Sequence, residues 1–477
     1  MTLDNVQITR QQFIADYHRP KYHYLPPTNW MNDPNGVIQW GDQYHLFYQY
    51  NPYGANHANM HWGHAASNDL IHWEDLPVAI APTPNTSDEG GIFSGSIVND
   101  NGTPKMFYTG VNIGYLVQTQ CLAIGSSDLT KWEKHSSNPI IATPPPAFVQ
   151  EDAFRDPFVW REEDAWYMAV GARMEGVGGA ILLYQSDDLV HWDYLNPLLV
   201  GELATTGVMW ECPNFFQLGD KWVLIISSHI GYATGTVLYF VGEYENHRFK
   251  PEIQGVLDSG YYYAPLTHLD NQNRRIMYGW IREGRSVEAQ VEAGWSGVQA
   301  IPRILSLDSQ NRLVMSPVDE LKSIRGTHHV ITANDLHGNA VPVSSMSIEM
   351  HVSFDVTDAS ECGIAVAVAP DGKAQTRISY DVDAQVLRVQ RQYSTASDDL
   401  ETNWQGMPHH LDKDETLNLL ILLDGSVLEV IANGRSSITS RVYSQHDDNQ
   451  HIHVIAPSTL QTLDIYEMPS IWSATTS

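Results

Sequence analysis

The chain has 477 residues, 43% hydrophobic, 10% aromatic and 17% charged, which is enough apolar surface for a sizeable core and excludes disordered and fibrous classes. Its length allows about three ordinary domains, or one large all-β unit with a smaller one. Lys+Arg 27 against Asp+Glu 56 leaves a net charge of −29, a field that repels phosphate backbones and anionic head groups and argues against nucleic acid or a membrane as partner.

The amino terminus, Met1-Thr-Leu-Asp-Asn-Val-Gln7, lacks the basic stretch and apolar core of a secretory signal. The expected location is cytoplasmic, or outside the cell if a leader has been removed. The sequons at Asn85 and Asn101 matter only in the second case. Cys121, Cys212 and Cys362 lie too far apart to build a disulfide framework or a paired zinc motif.

An internal repeat predicts the fold. Ser-x-Asp-Leu-x-x-Trp occurs at 67–73, 126–132 and 186–192, in steps of 59 and 60 residues (126 − 67 and 186 − 126). Ahead of each copy runs an aromatic or β-branched segment, at 45–50, 105–109 and 166–170, and similar runs follow at 222–226 and 276–280. A further short apolar segment precedes each run, which gives five units of several short strands without helical periodicity. That describes five propeller blades, closing near Ile301-Pro-Arg303. The stretch free of Asp, Glu, Lys and Arg at 222–242 reads as two buried strands around Gly-Tyr-Ala-Thr-Gly rather than as a membrane span.

After a short helical stretch at 317–324 the pattern changes. Apolar residues fall on every second position from Met346 to Val356, and Asp371-Gly, Asp424-Gly and Asn433-Gly mark hairpins. The expected architecture is all-β: a five-bladed β-propeller over 1–316, then a short linker and a β-sandwich over 317–477.

In a propeller the first strand of every blade faces the central channel, so equivalent positions converge there. Just ahead of the first apolar segment stand Asp33 in unit one, Asp156 in unit three and Glu211 in unit four. Read singly, Asp-Pro-Asn-Gly is an ordinary turn and Arg155-Asp156 a local ion pair. Their shared phase instead puts three carboxylates in one place, the kind of arrangement that two-carboxylate hydrolysis of a glycosidic bond needs. Glu211, flanked by Met209, Trp210, Cys212 and Pro213, has the more apolar setting and is expected to donate the proton. Asp33, among Asn32, Asn35 and a glycine turn, is expected to stay charged as the nucleophile. His57, His61 and His64 are set aside as a metal site, because strands do not place i and i+4 together. Gly176-Val-Gly-Gly179 reads as a hairpin, and no nucleophile elbow is present.

At these residues the sequence resembles glycoside hydrolase family 32, the β-fructofuranosidases. Trp30-Met-Asn-Asp-Pro-Asn-Gly36, Phe93-Ser-Gly-Ser96, Arg155-Asp-Pro157, Trp210-Glu-Cys-Pro213, Tyr263-Ala-Pro265, Gly279-Trp280 and the segment 294–303 carry the resemblance. It implies retaining release of terminal β-linked fructose, with Asp33 as nucleophile and Glu211 as acid/base. Asp156 with Arg155 would hold the fructosyl hydroxyls, and Asn32, Gln49, Trp62, Phe93, Ser94, Tyr263 and Trp280 would wall the pocket. No metal or other cofactor is implied, and the partner is a small sugar. His57 and Asn214 depart from the common pattern of the family and are expected at the pocket rim or the aglycone side. Sucrose-6-phosphate hydrolysis and fructosyl transfer are the alternatives on the same scaffold, and a sugar-binding protein without catalysis is the remote one. Because the motifs carry carboxylates and amides with Arg155 as their one basic residue, neutral sucrose and short fructo-oligosaccharides are the expected substrates.

Overall fold

A computed structural model describes residues 10–231, 233–391 and 404–472. Among these, helix is confined to a few short turns, and strands run almost end to end. The first part holds five separate sheets. They begin with strands Asn29–Trp40, Gly91–Asp100, Phe154–Glu162, Met209–Leu218 and Tyr262–Leu269, and each continues outward as an antiparallel meander. These first strands pack against one another in that order, and Tyr262–Leu269 packs back against Asn29–Trp40. The two-residue strand Trp295–Ser296 also pairs in parallel with Asn29 and Trp30, so sheet one is completed by late sequence.

The repeated motif forms the connection from the third to the fourth strand in the first three sheets. In the first copy Asp69 Oδ1 accepts from the backbone N–H of Ile71 and His72 at 3.0 and 2.8 Å. The indole N–H groups of Trp73, Trp132 and Trp192 donate to the carbonyls of Leu70, Leu129 and Leu189 at 3.1, 2.9 and 3.2 Å. These three leucines are buried with φ of 65°, 58° and 68°, a strained conformation for a side chain with Cβ that the Asp cap and the Trp clamp sustain together.

The charge-free segment forms strands Lys221–Ile230 and Ala233–Glu245. The second strand already includes Ala233-Thr-Gly235, so the connection is shorter than the five residues expected. Gly176-Val-Gly-Gly179 lies at a hairpin between Ala165–Met174 and Gly178–Ser186. The short helical stretch is a 3-10 helix, Asp319–Ile324. Beyond it come two six-stranded antiparallel sheets whose inward side chains, among them Ile348, Met350, Val352, Ile364, Val366, Ile421 and Val430, share one apolar core. The alternating strand is Ser347–Phe354, and the Asp424-Gly and Asn433-Gly pairs turn successive strands.

A buried ionic cluster joins the two parts. Asp424 accepts from the backbone N–H groups of Lys21, Tyr22 and His23 at 2.7–2.9 Å. His23 Nδ1 lies 2.9 Å from Asp424 Oδ2, and its Nε2 lies 2.9 Å from Glu429 Oε1. Both ring nitrogens face carboxylates, which offer no hydrogen, so both must donate and the ring is an imidazolium. Arg303 Nη2 donates to the other oxygen of Glu429 at 2.5 Å, and the N–H of Ile301 donates to Oε1 at 3.0 Å. Close approach completes the joint: a Cβ on Gly260 would stand 1.8 Å from the carbonyl oxygen of Thr439.

Burial alone would lower the His23 pKa, but hydrogen bonds and charge from Asp424 and Glu429 raise it to about 9. A folded pKa above the ordinary imidazole value of about 6.5 gives stability that is complete below pH 6.5 and lost as pH rises through 9. The melting temperature should therefore fall steadily between pH 7 and 9.5. In His23→Gln that slope should flatten, with the whole curve lowered by the few degrees that about 3 kcal/mol represents in a chain of this size.

Candidate active site

The first strand of each sheet is broken at the same level. The pairing register slips between Met31 and Pro34, Phe93 and Gly95, Glu211 and Asn214, and Tyr263 and Leu266, and opposite Arg155–Phe158. Proline has no N–H to offer the ladder, so Pro34, Pro157, Pro213 and Pro265 each force a bulge. The preceding residues Asp156, Cys212 and Ala264 take φ of 67°, 49° and 48°. The acids thus sit inside the strands rather than ahead of them, and the bulge aims them sideways into a common hollow. Gly171 allows sheets three and four to meet behind it, since a Cβ there would lie 2.3 Å from the carbonyl oxygen of Trp210.

That hollow is a cavity of about 550 Å³ lined by Trp30, Asn32, Asp33, Gln49, His57, Phe93, Ser94, Tyr115, Asp152, Arg155, Asp156, Glu211, His229, Thr234, Tyr263 and Trp280 among others. Asp33 Oδ2 accepts from Ser94 Oγ at 2.6 Å, and Oδ1 accepts from Asn32 Nδ2 at 3.0 Å. Trp30 Nε1 orients that amide by donating to Asn32 Oδ1 at 2.7 Å. Asp156 Oδ2 accepts from the backbone N–H of Cys212 at 2.9 Å, and the Cys212 thiol lies 3.6 Å from Asp33 Oδ2 and 3.5 Å from Asp156 Oδ2. Burial holds that thiol protonated. Arg155 donates from Nε and Nη2 to Glu211 Oε2 at 3.0 and 2.8 Å, and His229 Nε2 lies 2.9 Å from Glu211 Oε1.

Burial and the nearby charge of Glu211 lift Asp33 to about 6, against the hydrogen bonds from Ser94, Asn32 and Cys212. Asp156 is also pushed upward by burial, with Arg155 opposing and the other two carboxylates adding to the rise. Burial would raise Glu211 too, but His229 and Arg155 hold it well below the usual carboxylate range. This reverses the relative order expected from sequence, in which Glu211 was to hold its proton more readily than Asp33, while Asp33 is still charged above about pH 6. The apolar neighbours of Glu211 in sequence do not surround its carboxylate; Trp210, for instance, is fully buried and packs against Phe240.

Most residues singled out in the sequence come together here: Asp33, Asp156, Glu211, Arg155, Asn32, Gln49, Phe93, Ser94, Tyr263 and Trp280 all line the cavity. Trp62 does not. It is fully buried behind Phe93, and its indole N–H donates to the Phe93 carbonyl at 3.0 Å, so it supports the wall instead of forming it. Asn214 is likewise off the rim, tying sheets four and five through Pro265 O at 2.7 Å and the N–H of Thr267 at 2.7 Å. Arg155 pairs with Glu211 more closely than with Asp156, which lies 3.8 Å away. His57 reaches the cavity edge-on to Trp30, His64 stacks on Phe47 and bonds His45 at 2.9 Å, and His61 Nδ1 meets Asn59 O at 2.6 Å. Sequence reasoning missed His229, Tyr115, Thr234 and Asp152. They lie on second strands, strand starts and loops outside the repeat's phase; Trp30, also missed as a lining residue, carried a usable signal as part of the Asp33 motif.

Comparison with known proteins assigns the chain to a family. Residues 23–317 match the glycosyl hydrolases family 32 N-terminal domain, and residues 320–467 match the family 32 C-terminal domain. The chain is 34% identical over 458 residues to a sucrose-6-phosphate hydrolase of Escherichia coli, covering 90% of each. It is 30% identical to a levanase of Bacillus subtilis, covering 97% of this chain and 72% of that one. Among solved structures, a variant of fructan 1-exohydrolase IIa from Cichorium intybus in complex with 1-kestose superimposes with a TM-score of 0.84 at 27% identity, covering 96% of this chain and 98% of that one. The chain therefore belongs to glycosyl hydrolase family 32.

Proposed function

We propose that the five sheets are the blades of a β-propeller spanning 1–316, that 317–477 forms a β-sandwich domain, and that the enzyme is a retaining β-fructofuranosidase. The observation that carries the chemistry is the meeting of Asp33, Asp156 and Glu211, from three different sheets, in one cavity around one guanidinium. Asp33 attacks the anomeric carbon of a terminal fructosyl unit while Glu211 protonates the departing oxygen. A water molecule, deprotonated by Glu211, then displaces Asp33. Asp156 holds fructosyl hydroxyls in this reading. Trp30, Phe93 and Trp280 supply apolar wall, a usual partner for the faces of a sugar.

Loss of either partner should remove most turnover without unfolding the protein. Asp33→Ala and Glu211→Ala should each reduce kcat on sucrose by about 10²–10⁴-fold or more. Glu211→Ala should lose less on a donor whose leaving group needs no proton. Near-normal sucrose turnover by either variant would overturn the assignment.

Ser94 makes the shortest hydrogen bond to Asp33 and favours its charged form. In the free enzyme kcat/KM should therefore fall on the acid side below about pH 6, where Asp33 takes up its proton. Ser94→Ala removes a donor to a charged group, so the acid limb should move upward by about one pH unit. An unmoved acid limb in that variant would separate Asp33 from the titration.

Four carboxylates, Asp33, Asp152, Asp156 and Glu211, line the cavity against one arginine already engaged by Glu211. A phosphate dianion normally needs an open fork of Arg or Lys. Sucrose and short fructo-oligosaccharides should thus be cleaved with higher kcat/KM than sucrose 6-phosphate at equal ionic strength. A clear advantage for the phosphorylated sugar would favour the sucrose-6-phosphate hydrolase reading.

A further inference from the structure

A general acid must carry a proton at working pH, yet the groups around Glu211 favour its ionised form. The geometry identifies where a replacement proton can come from. Glu211 and His229 lie on paired strands: Met209 stands opposite His229 and Glu211 opposite Ser227, so the two side chains meet on the diagonal of one sheet face. Oε2 of Glu211 is occupied by two N–H groups of Arg155. Oε1 is the oxygen left to carry a proton, and its neighbour is His229 Nε2 at 2.9 Å. Against an ionised carboxylate, which offers no hydrogen, Nε2 is the donor of that contact, although the donor-only Nη2 of Arg155 also stands beside it.

We propose that His229 is a positioning residue for Glu211 and that the two side chains hold one proton between them, delivered to the leaving oxygen through Glu211. The idea rests on Glu211 being the acid/base. The proposed starting state is an imidazolium beside a carboxylate, and in the first half-reaction Nε2–H passes its proton to Oε1, leaving neutral imidazole. The Glu211 O–H then protonates the glycosidic oxygen as its bond to C2 breaks and the bond from Asp33 to C2 forms. In the second half, water adds to C2 as the Asp33 bond breaks, its proton goes to Glu211, and the pair returns to one shared proton. Atoms and charge balance without another reactant.

Arg155 Nη2 stands 3.3 Å from His229 Nε2, and Asp152 lies 3.7 Å behind Arg155. The Tyr263 hydroxyl donates to Ser228 O at 2.8 Å and also hydrogen-bonds Glu211, His57 lines the same cavity, and Arg282 contacts the hydroxyl of Thr234, which pairs with His229 across the sheet. Asp33 and Asp156 face the same cavity. His229 is itself only 17% exposed, so bulk water is a restricted proton source.

The test is the pH dependence of kcat/KM for His229→Gln and His229→Asn, which remove the imidazole proton and retain an amide donor. Coupled groups titrate as a pair, so without His229 the proton resides on Glu211 alone and is lost earlier. The alkaline limb on sucrose should move at least about one pH unit to the acid side, with roughly 100-fold loss at pH 7. The loss should be at least about tenfold smaller on p-nitrophenyl β-D-fructofuranoside, whose leaving group departs without protonation. An unmoved alkaline limb, or equal losses on the two substrates in variants with normal melting temperature, would overturn the proposal. Glu211→Gln run alongside separates the two levels: if it still hydrolyses sucrose, the site assignment itself fails, whereas a dead Glu211→Gln beside an unshifted His229→Gln overturns only the role of His229.

Discussion

Keeping three carboxylates out of water within reach of one another is the constraint around which the molecule is arranged. Like charges in a low-dielectric site repel and lose hydration together, so each needs donors or a counter-ion supplied by the fold. Asp33 takes its donors from Ser94 and Asn32, Asp156 from the backbone of Cys212, and Glu211 from Arg155 and His229. Each of these arrangements except the Asn32 contact crosses from one sheet to another or from strand to strand. The donors cannot be in place unless the sheets are packed, and so the site forms only with the whole first part of the chain.

The bulges explain how flat strands deliver those side chains. A regular strand would send alternate residues to the two faces of its sheet, away from its neighbours' equivalents. Breaking the ladder, at proline in four of the five first strands and with Asp156, Cys212 and Ala264 in left-handed conformations, lets Asp33, Asp156 and Glu211 face one cavity. Conformations of this kind cost of order 1–3 kcal/mol each and persist only where packing over-determines them. The cross-sheet bonds from Ser96 to Pro157 O and from the N–H of Asp156 to Thr109 Oγ1, both 2.8 Å, are part of that packing.

The two six-stranded sheets contribute at a distance. Glu429 receives Arg303, His23 and the N–H of Ile301. Two residues before Ile301, Gln299 Nε2 donates to Asn32 O at 2.9 Å, next to Asp33. The second part of the chain thus holds Ile301 and Arg303, close in sequence to the glutamine that bonds the strand carrying Asp33. Removing one partner from such a buried cluster leaves an uncompensated charge, which is far more costly than the cluster's net worth.

Reading the sequence alone was enough to find what depends on local order and periodicity. The Asp-Leu-Trp turns, the meander of short strands and the shift to strict alternation near Met346 follow from side chains acting on their own backbone, and the common phase of Asp33, Asp156 and Glu211 follows from repetition. The electrostatics of the site did not follow, because a carboxylate's pKa depends on what faces it through space. Glu211 sits among apolar residues in sequence, but its carboxylate meets His229 and Arg155. Trp62 looked like pocket wall and lies behind it, and Asn214 looked like rim and ties two sheets. Those outcomes were decided by tertiary packing, which chooses the face each strand turns inward and the residues from distant strands that meet there.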